Sequence, residues 1–427
     1  MRARIWVKRG LWLGASLLLA ADPMAGGPAR AQPATRPGDV LLGASVEGLR
    51  AAARQLSPAL RAAALDTSAA SAKAGGADAL DDPTISDSYT YYKDPGVFSA
   101  HTFMFSQSFP LWGKRSLRRQ AALADVDAAR GREQAARDAA DEKIKVAYAQ
   151  YYLINQDLAV NREIGALARR MRAATAARYS QGGGTQAEVI QALGEETAAK
   201  AEATRLVGEK DAARARLNVL VGRPADALLA DPVRARPFAA AEPSLAELVN
   251  RARTANPTLS AGDAQIAAAR MRSALAGKAW YPDITVSGGP LVQTNNRPVG
   301  FAATVGVNIP VPWGREASGQ REAEAQLGAS QQQYEASLLE VEGALGEAVA
   351  RLRAARATEA LLRRETMPQA RAGFQATLAS YSQGNGELAS AITAEHQMHD
   401  VDLRLLQVQL DEQVELAAIE RLVGGDL

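Results

Sequence analysis

The chain has 427 residues, 49 Lys+Arg against 47 Asp+Glu, and a formal charge of +2. With no cysteine and three histidines, it has no disulfides, Cys-ligated zinc, iron–sulfur clusters, cysteine nucleophiles or Cys-linked lipid anchors, and little material for His-based metal chemistry. The near balance of charge speaks against a nucleic-acid partner, and an aromatic content of 5% in an Ala-rich chain points to long, closely packed helices.

Residues 1–31 read as a secretory leader. Arg2, Arg4, Lys8 and Arg9 form a basic start, Leu11 to Ala21 a short apolar core, and Ala29-Arg30-Ala31 a small-x-small cleavage site. The apolar run is about half of the ~20 residues that span a bilayer as a helix. Cleavage removes five basic residues and one acid, so the mature charge is −2. No later segment is apolar enough for a transmembrane helix, so membrane entry requires β-strands.

Prolines divide the rest. None of the 19 falls between Leu111 and Arg223, and Pro368 is the only one after Trp313. Proline removes a backbone donor and clashes with the preceding turn, so these regions are helical candidates. Pro224, Pro232, Pro237 and Pro243 mark residues 223–244 as a linker. The halves on either side, 32–222 and 245–427, repeat. Tyr179-Ser180-Gln181-Gly182 returns as Tyr381-Ser382-Gln383-Gly384, and Leu220-Val221-Gly222 as Leu422-Val423-Gly424, both at an offset of 202. Trp112-Gly113-Lys114 returns as Trp313-Gly314-Arg315 at 201, and Ser57-Pro58-Ala59-Leu60 as Asn256-Pro257-Thr258-Leu259 at 199. This is a tandem duplication.

In chain order, each repeat predicts a first helix (43–79; 245–279), two strands, a very long helix (114–179; 315–381), a Gly-rich reversal and a returning helix (185–221; 387–423). A helix of about 67 residues is ~100 Å long, and two shorter ones stacked end to end match it. Leu338, Val341, Leu345, Ala348, Leu352 and Ala355 follow a heptad. The last helix has two apolar stripes, through Leu403, Leu406 and Leu410 and through Val401, Leu405 and Val408, and so expects neighbours on two sides. The strands alternate. Ile85, Tyr89 and Tyr91 interleave with Ser86, Ser88 and Thr90, and Phe301, Ala303, Val305, Val307 and Ile309 with Thr304, Gly306 and Asn308. This is the period of a membrane strand with an apolar and a polar face; a soluble hairpin with one buried face has the same pattern. Trp112, Trp280 and Trp313 fall at strand–helix junctions, where an interfacial belt or simple junction packing would place them. Four strands cannot close a membrane barrel, whose smallest form has about eight, and three copies would supply twelve.

With these features assembled, the mature chain resembles the TolC-type outer-membrane efflux proteins. The resemblance rests on the duplicated unit, on Arg178-Tyr179-Ser180-Gln181-Gly182 and Ser380-Tyr381-Ser382-Gln383-Gly384 at the reversals, and on Phe109-Pro110-Leu111-Trp112-Gly113-Lys114-Arg115. The last motif is most similar to the heavy-metal branch that partners resistance-nodulation-division pumps. The implied fold is mainly α with β: as a homotrimer, a 12-stranded β-barrel in outer-membrane lipid continued by a long α-helical barrel in the periplasm. The implied partners are a periplasmic adaptor and an inner-membrane pump, with no cofactor and no catalysis. Tyr179, Gly182, Gly183, Gly184, Tyr381, Gly384 and Gly386 would form the periplasmic tips and adaptor-docking surface, the glycines admitting positive φ. Such tips often gate with inward carboxylates. Glu188 stands where relatives carry an acid, whereas Ser390 and Thr393 occupy the second repeat's positions, leaving Glu387 and Glu395 as substitutes. A helix-start acid held by the dipole is the structural alternative for Glu188 and Glu387. His396 and His399, three apart on a helix, form a weak metal-like pair beside Glu395 and Met398. Gly113-Lys114-Arg115 fails the P-loop pattern, and no G-x-S-x-G or H-E-x-x-H occurs. The alternatives are a multidrug or type I secretion outlet of the same fold and, from another class, a periplasmic structural coiled coil.

Overall fold

A computed structural model describes residues 42–91, 93, 99–232, 234–236, 244–293 and 298–427. The expected leader, and residues 233 and 237–243 of the expected linker, lie outside them. The first repeat runs α1 (Val46–Leu56), α2 (Pro58–Gly76), β1 (Thr84–Thr90), β2 (Ala100–Phe109), α3 (Lys114–Ser180) and α4 (Gln186–Val221). The second runs α5 (Leu245–Ala255), α6 (Pro257–Gly277), β3 (Ile284–Gln293), β4 (Gly300–Val307), α7 (Arg315–Leu361), α8 (Met367–Ser382) and α9 (Leu388–Val423).

Two expectations need correction. The first helix of each repeat is two helices, because Pro58 and Pro257 drive the residue before them out of the helical region: Ser57 and Asn256 are extended, each with ψ 120°. The second long helix is also interrupted. A single π turn, Leu362–Thr366, separates α7 from α8, with Met367 N–H reaching back to Leu362 O. Pro368 follows at once and offers no N–H, and a widened turn is how a helix accommodates such a ring. The first repeat has no proline there, and α3 runs 67 residues unbroken.

The breaks before Pro58 and Pro257 are seats for the returning helices, which explains two of the repeated landmarks. Gly222 ends α4 at φ 86°, and a Cβ there would meet Leu56 O at 2.7 Å. Gly424 ends α9 at φ 73°, and its Cβ would meet Ala255 O at 2.2 Å. Only glycine satisfies both the dihedral and the approach. Asn256 completes the second seat. Its Nδ2 donates to Leu422 O (2.8 Å), and its Oδ1 accepts from Thr258 N and Leu259 N.

Each repeat has its own core. Val46, Leu49, Ala53, Ile144, Tyr148, Tyr151, Leu217 and Val221 join α1, α3 and α4. Leu248, Leu259, Val341, Leu345, Ala348, Leu352, Ile419 and Val423 join α5, α6, α7 and α9, so the heptad read from the sequence is the buried seam of α7. The repeats meet closely where α3 crosses α6, with a Cβ at Gly131 only 2.8 Å from that of Ala261.

The four strands form one antiparallel sheet in the order β1-β2-β3-β4. β2 of one repeat pairs with β3 of the other, from Ala100↔Gln293 to Phe109↔Ile284. Register places Ile85, Tyr89, Phe103, Phe105, Val286, Val305 and Val307 on one face and Ser86, Ser88, Thr102, Ser106, Thr285, Ser287 and Thr304 on the other. The large residues of the first face are exposed, among them Ile85, Phe105, Phe301 and Val305. β1 and β4 leave the sheet with two open edges. Among the described residues no helix is long and apolar enough to cross a membrane.

Candidate functional site

The helical reversals share one hydrogen-bond plan. At the first, Gly182 N donates to Tyr179 O (3.1 Å) and Gly183 N to Arg178 O (3.0 Å); at the second, Gly384 N donates to Tyr381 O (3.0 Å) and Asn385 N to Ser380 O (3.0 Å). Gly182 and Gly384 take positive φ, 76° and 80°. Gly183, Gly184 and Gly386 do not, contrary to the sequence expectation. Gly184 and Gly386 are needed for space instead: a Cβ at Gly386 would lie 2.9 Å from Ser380 Oγ and 3.1 Å from Tyr381 N, and one at Gly184 3.1 Å from Glu188 Oε2.

Their tyrosines have opposite fates. Tyr179 is 49% exposed and Tyr381 4%. The Tyr381 hydroxyl lies 3.2 Å from Thr175 Oγ1, its carbonyl accepts from Arg178 Nη1 (3.0 Å), and the Arg178 guanidinium sits 4.7 Å from the ring centre. Arg178 also donates to Gly183 O at its own reversal, so one side chain ties both tips. Met171, Ala192, Leu388, Ala391 and Ile392 close around Tyr381. On the first tip the repeat-related Ile190, and Leu193 one turn further on, are exposed.

The three candidate gate acids occupy three environments. Glu188 is engaged in a capping box: its Oε2 accepts from Thr185 N (3.0 Å), and its own N–H donates to Thr185 Oγ1 (3.3 Å). Glu387 is exposed at the start of α9 and makes no capping hydrogen bond. Glu395 is buried, with Oε1 unpartnered. Burial pushes its carboxyl above the ordinary range, the charge of Glu195 adds to this, and His396 opposes it. His396 Nε2 lies 3.0 Å from Glu195 Oε2 and 3.7 Å from Glu395 Oε2. His396 and His399 line a cavity of about 170 Å³ between α3, α4 and α9. Among the described residues no three His, Asp or Glu side chains are arranged to hold a metal ion.

The strand–helix junctions are built around Trp112 and Lys114. Trp112 takes φ 59°, turning its ring outward, and its Nε1 donates to Pro282 O (2.7 Å). Its ring centre lies 5.5 Å from that of Tyr281. Lys114 Nζ is buried between Tyr281 O and Asp283 Oδ2, both at 2.8 Å, while Asp283 Oδ1 accepts from Leu111 N (3.0 Å). The first repeat's entry into α3 is thus bolted to the second repeat's entry into β3. Trp280 ends a short 3₁₀ turn after α6 and is 38% exposed; Trp313, before α7, is 88% exposed. At the second junction Arg315, which stands where the first has Lys114, is exposed rather than buried.

Sequence reasoning missed a charged network joining the repeats at the opposite end of α9 from the tip. Lys145 Nζ donates to Glu420 Oε2 (2.8 Å) and also to Asp426; Arg236 Nη1 reaches Glu420 (2.6 Å). Arg50 bridges Asp141 (2.6 Å) and Asp426 (2.9 Å). Burial works against the Asp426 carboxylate, but hydrogen bonds from Lys145 and Arg50 hold it down at about 2. The only sequence signal was a set of charges on otherwise apolar helix faces, which singly read as solvated.

The family model described as outer membrane efflux protein matches residues 49–223 and 248–425, once per repeat. No curated protein matches the chain. Among solved structures, the outer membrane protein VceC of Vibrio cholerae superposes with a TM-score of 0.75 at 20% identity, covering 89% of this chain and 96% of that one. A membrane protein from Pseudomonas aeruginosa gives 0.77 at 21% identity, covering 90% and 91%. CusC, whose structures concern folding and transmembrane channel formation, gives 0.76 at 17% identity, covering 89% and 92%. The duplicated helical repeat, the shared four-stranded sheet and the twofold family match agree, and the chain belongs to the TolC-type outer membrane efflux protein family.

Proposed function

We propose that this protein is the outer-membrane channel component of a tripartite efflux system, a passive conduit assembled as a homotrimer. The observation that carries this is the sheet: four strands, two open edges and an exposed apolar face opposite a polar one. Open edges do not persist in lipid, so closure needs further strands. Three copies give a twelve-stranded barrel with its polar face inward, continued by the helices into the periplasm. Residues 1–31 are the cleaved leader in this reading, 32–222 and 245–427 the two repeats and 223–244 their linker. Trp112, Trp280 and Trp313 mark the membrane interface, supported by their outward exposure at the strand ends. The tips, with Tyr179, Ile190 and Leu193 outward, dock the periplasmic adaptor, which links to an inner-membrane pump. Of the candidate gate acids, Glu387 is the one free to line a cation-attracting ring in a trimer.

For cargo we propose heavy-metal cations, on the Phe109–Arg115 motif and its Lys114–Asp283 bolt. The test is fractionation, then heated and unheated samples on a denaturing gel, then metal and drug sensitivity of a strain lacking the protein. Outer-membrane recovery as a heat-modifiable trimer with raised metal sensitivity is expected. A soluble monomer would overturn the channel, and sensitivity to organic compounds alone would move the cargo to the multidrug reading.

A further inference from the structure

The cavity between α3, α4 and α9 has two kinds of lining. Ile164, Leu167, Met171, Ala192 and Ile392 are apolar, whereas Glu195, Glu202, Glu395, His396 and His399 are polar or charged. Its volume of about 170 Å³ is of the size that, in an engineered apolar cavity, accommodates benzene. Glu395 is the buried member of the polar set, 7% exposed. Its Oε2 lies 3.7 Å from His396 Nε2, but that nitrogen sits closer to Glu195 Oε2, at 3.0 Å. Among the described residues, Glu395 Oε1 and the buried His399 Nδ1 have no hydrogen-bond partner. Two unsatisfied polar atoms on the wall of one cavity cost stability unless something supplies the missing hydrogen bonds.

The charges narrow what that is. Three of the lining residues are acids. The neighbouring arginines are committed: Arg205 to Glu202 and Glu209, and Arg172 to Glu196. An anion would meet like charge here, and a neutral apolar guest would leave the Glu395 carboxyl as it is. An ammonium group brings three donors and a compensating charge. Glu395 Oε1 can accept one N–H, and so can His399 Nδ1 in the tautomer with its proton on Nε2. The apolar lining then covers the rest of the guest.

We propose that this cavity is a binding site for a small organic amine, an ammonium group carried on an apolar body about the size of one aromatic ring. Glu395 and His399 hold the ammonium, and Ile164, Leu167, Met171 and Ile392 pack around the body. The site belongs to the second repeat's returning helix. At the offset of 202, the first repeat has Leu193, Gly194 and Thr197 where Glu395, His396 and His399 stand, so its own returning helix carries none of the three. The site is built from residues of one chain and does not depend on the channel reading.

Benzylamine is the probe. It is titrated calorimetrically at neutral pH, where it is charged, into the detergent-extracted full-length protein, with detergent alone as the blank. The expected result is one saturable site per chain with a Kd of about 1 mM or tighter. Benzyl alcohol should bind at least ~10-fold more weakly and benzoate not at all, as the charge argument requires. Glu395→Gln keeps the shape, removes the charge and should weaken benzylamine ~10-fold or more. Ala199→Leu leaves the carboxyl in place, fills the apolar part and should abolish binding. Four results would overturn the proposal. Wild type could show no saturable binding, as when a neighbouring copy's side chain fills the cavity. Glu395→Gln could bind as tightly as wild type. The alcohol could match the amine, which would make the cavity a simple apolar void. Zinc chloride alone could displace the amine, which would make a metal ion the ligand.

Discussion

The two helical tips descend from one ancestral turn and keep the same backbone, yet one is open and the other sealed. Tyr179 looks outward from the first, whereas Tyr381 is packed under Arg178 and against Thr175 at the second. Glu395 stands at the offset of Leu193, so the sealed tip buries a carboxyl where the open one exposes a leucine. A duplicated turn can therefore hold its geometry while its two copies divide the work, one presenting a surface and the other holding the structure shut.

The sharpest way to break this comparison is to remove each tyrosine. Tyr381→Ala empties a buried aromatic site and should cost about 3–5 kcal/mol of local stability, read as a lowered melting temperature and a leakier channel in planar bilayers. Tyr179→Ala should stay within about 0.5 kcal/mol of wild type. Equal effects would mean that the tips are not divided. Titration gives a second contrast. The fold raises the Glu395 carboxyl above its ordinary 4.5, so its contribution is present below that value and is lost as pH rises through the raised one. Glu395→Leu, which copies the first tip, should then gain ~1–2 kcal/mol at pH 8 and less at pH 4, by denaturant unfolding at both pH values. A gain that is the same at both would separate the effect from ionisation. The helix starts differ by less. Thr185→Ala should cost ~1 kcal/mol because it dismantles a capping box, whereas Glu387→Ala, which removes no cap, should leave thermal unfolding of its tip unchanged. At the glycines the two tips should agree: Gly182→Ala and Gly384→Ala each cost about 1–2 kcal/mol, and a large difference would show that the backbone plan is not shared after all.

The duplication, the long helices and the two-faced strands were legible because each is periodic, and periodicity survives in a linear text. The Ser57-Pro58 and Asn256-Pro257 breaks were visible as residues but read as helix interior, although proline restricts its predecessor wherever it stands. The π turn was hidden for a related reason, since Pro368 alone does not say whether a helix stops, kinks or widens. At the tips the reversals were clear, but not which tyrosine would be buried, because that depends on Thr175 and Arg178 meeting a segment some two hundred residues away. The Lys145–Glu420–Asp426 network escaped for the same reason: each charge sits in a run of mixed charges, and only the fold removes it from water.

The open edges of the sheet also set the order of events during biogenesis. A lone chain carries β1 and β4 without partners and an apolar face with nowhere to go. Before insertion it is the kind of segment that pairs with whatever strand it meets. Under the proposed assembly, barrel closure requires three chains to meet, so its rate rises more steeply than linearly with chain concentration. Escort by a holding chaperone, or delivery of chains close together in time, is then a requirement for yield. Modest underexpression would cost more channels than it costs chains.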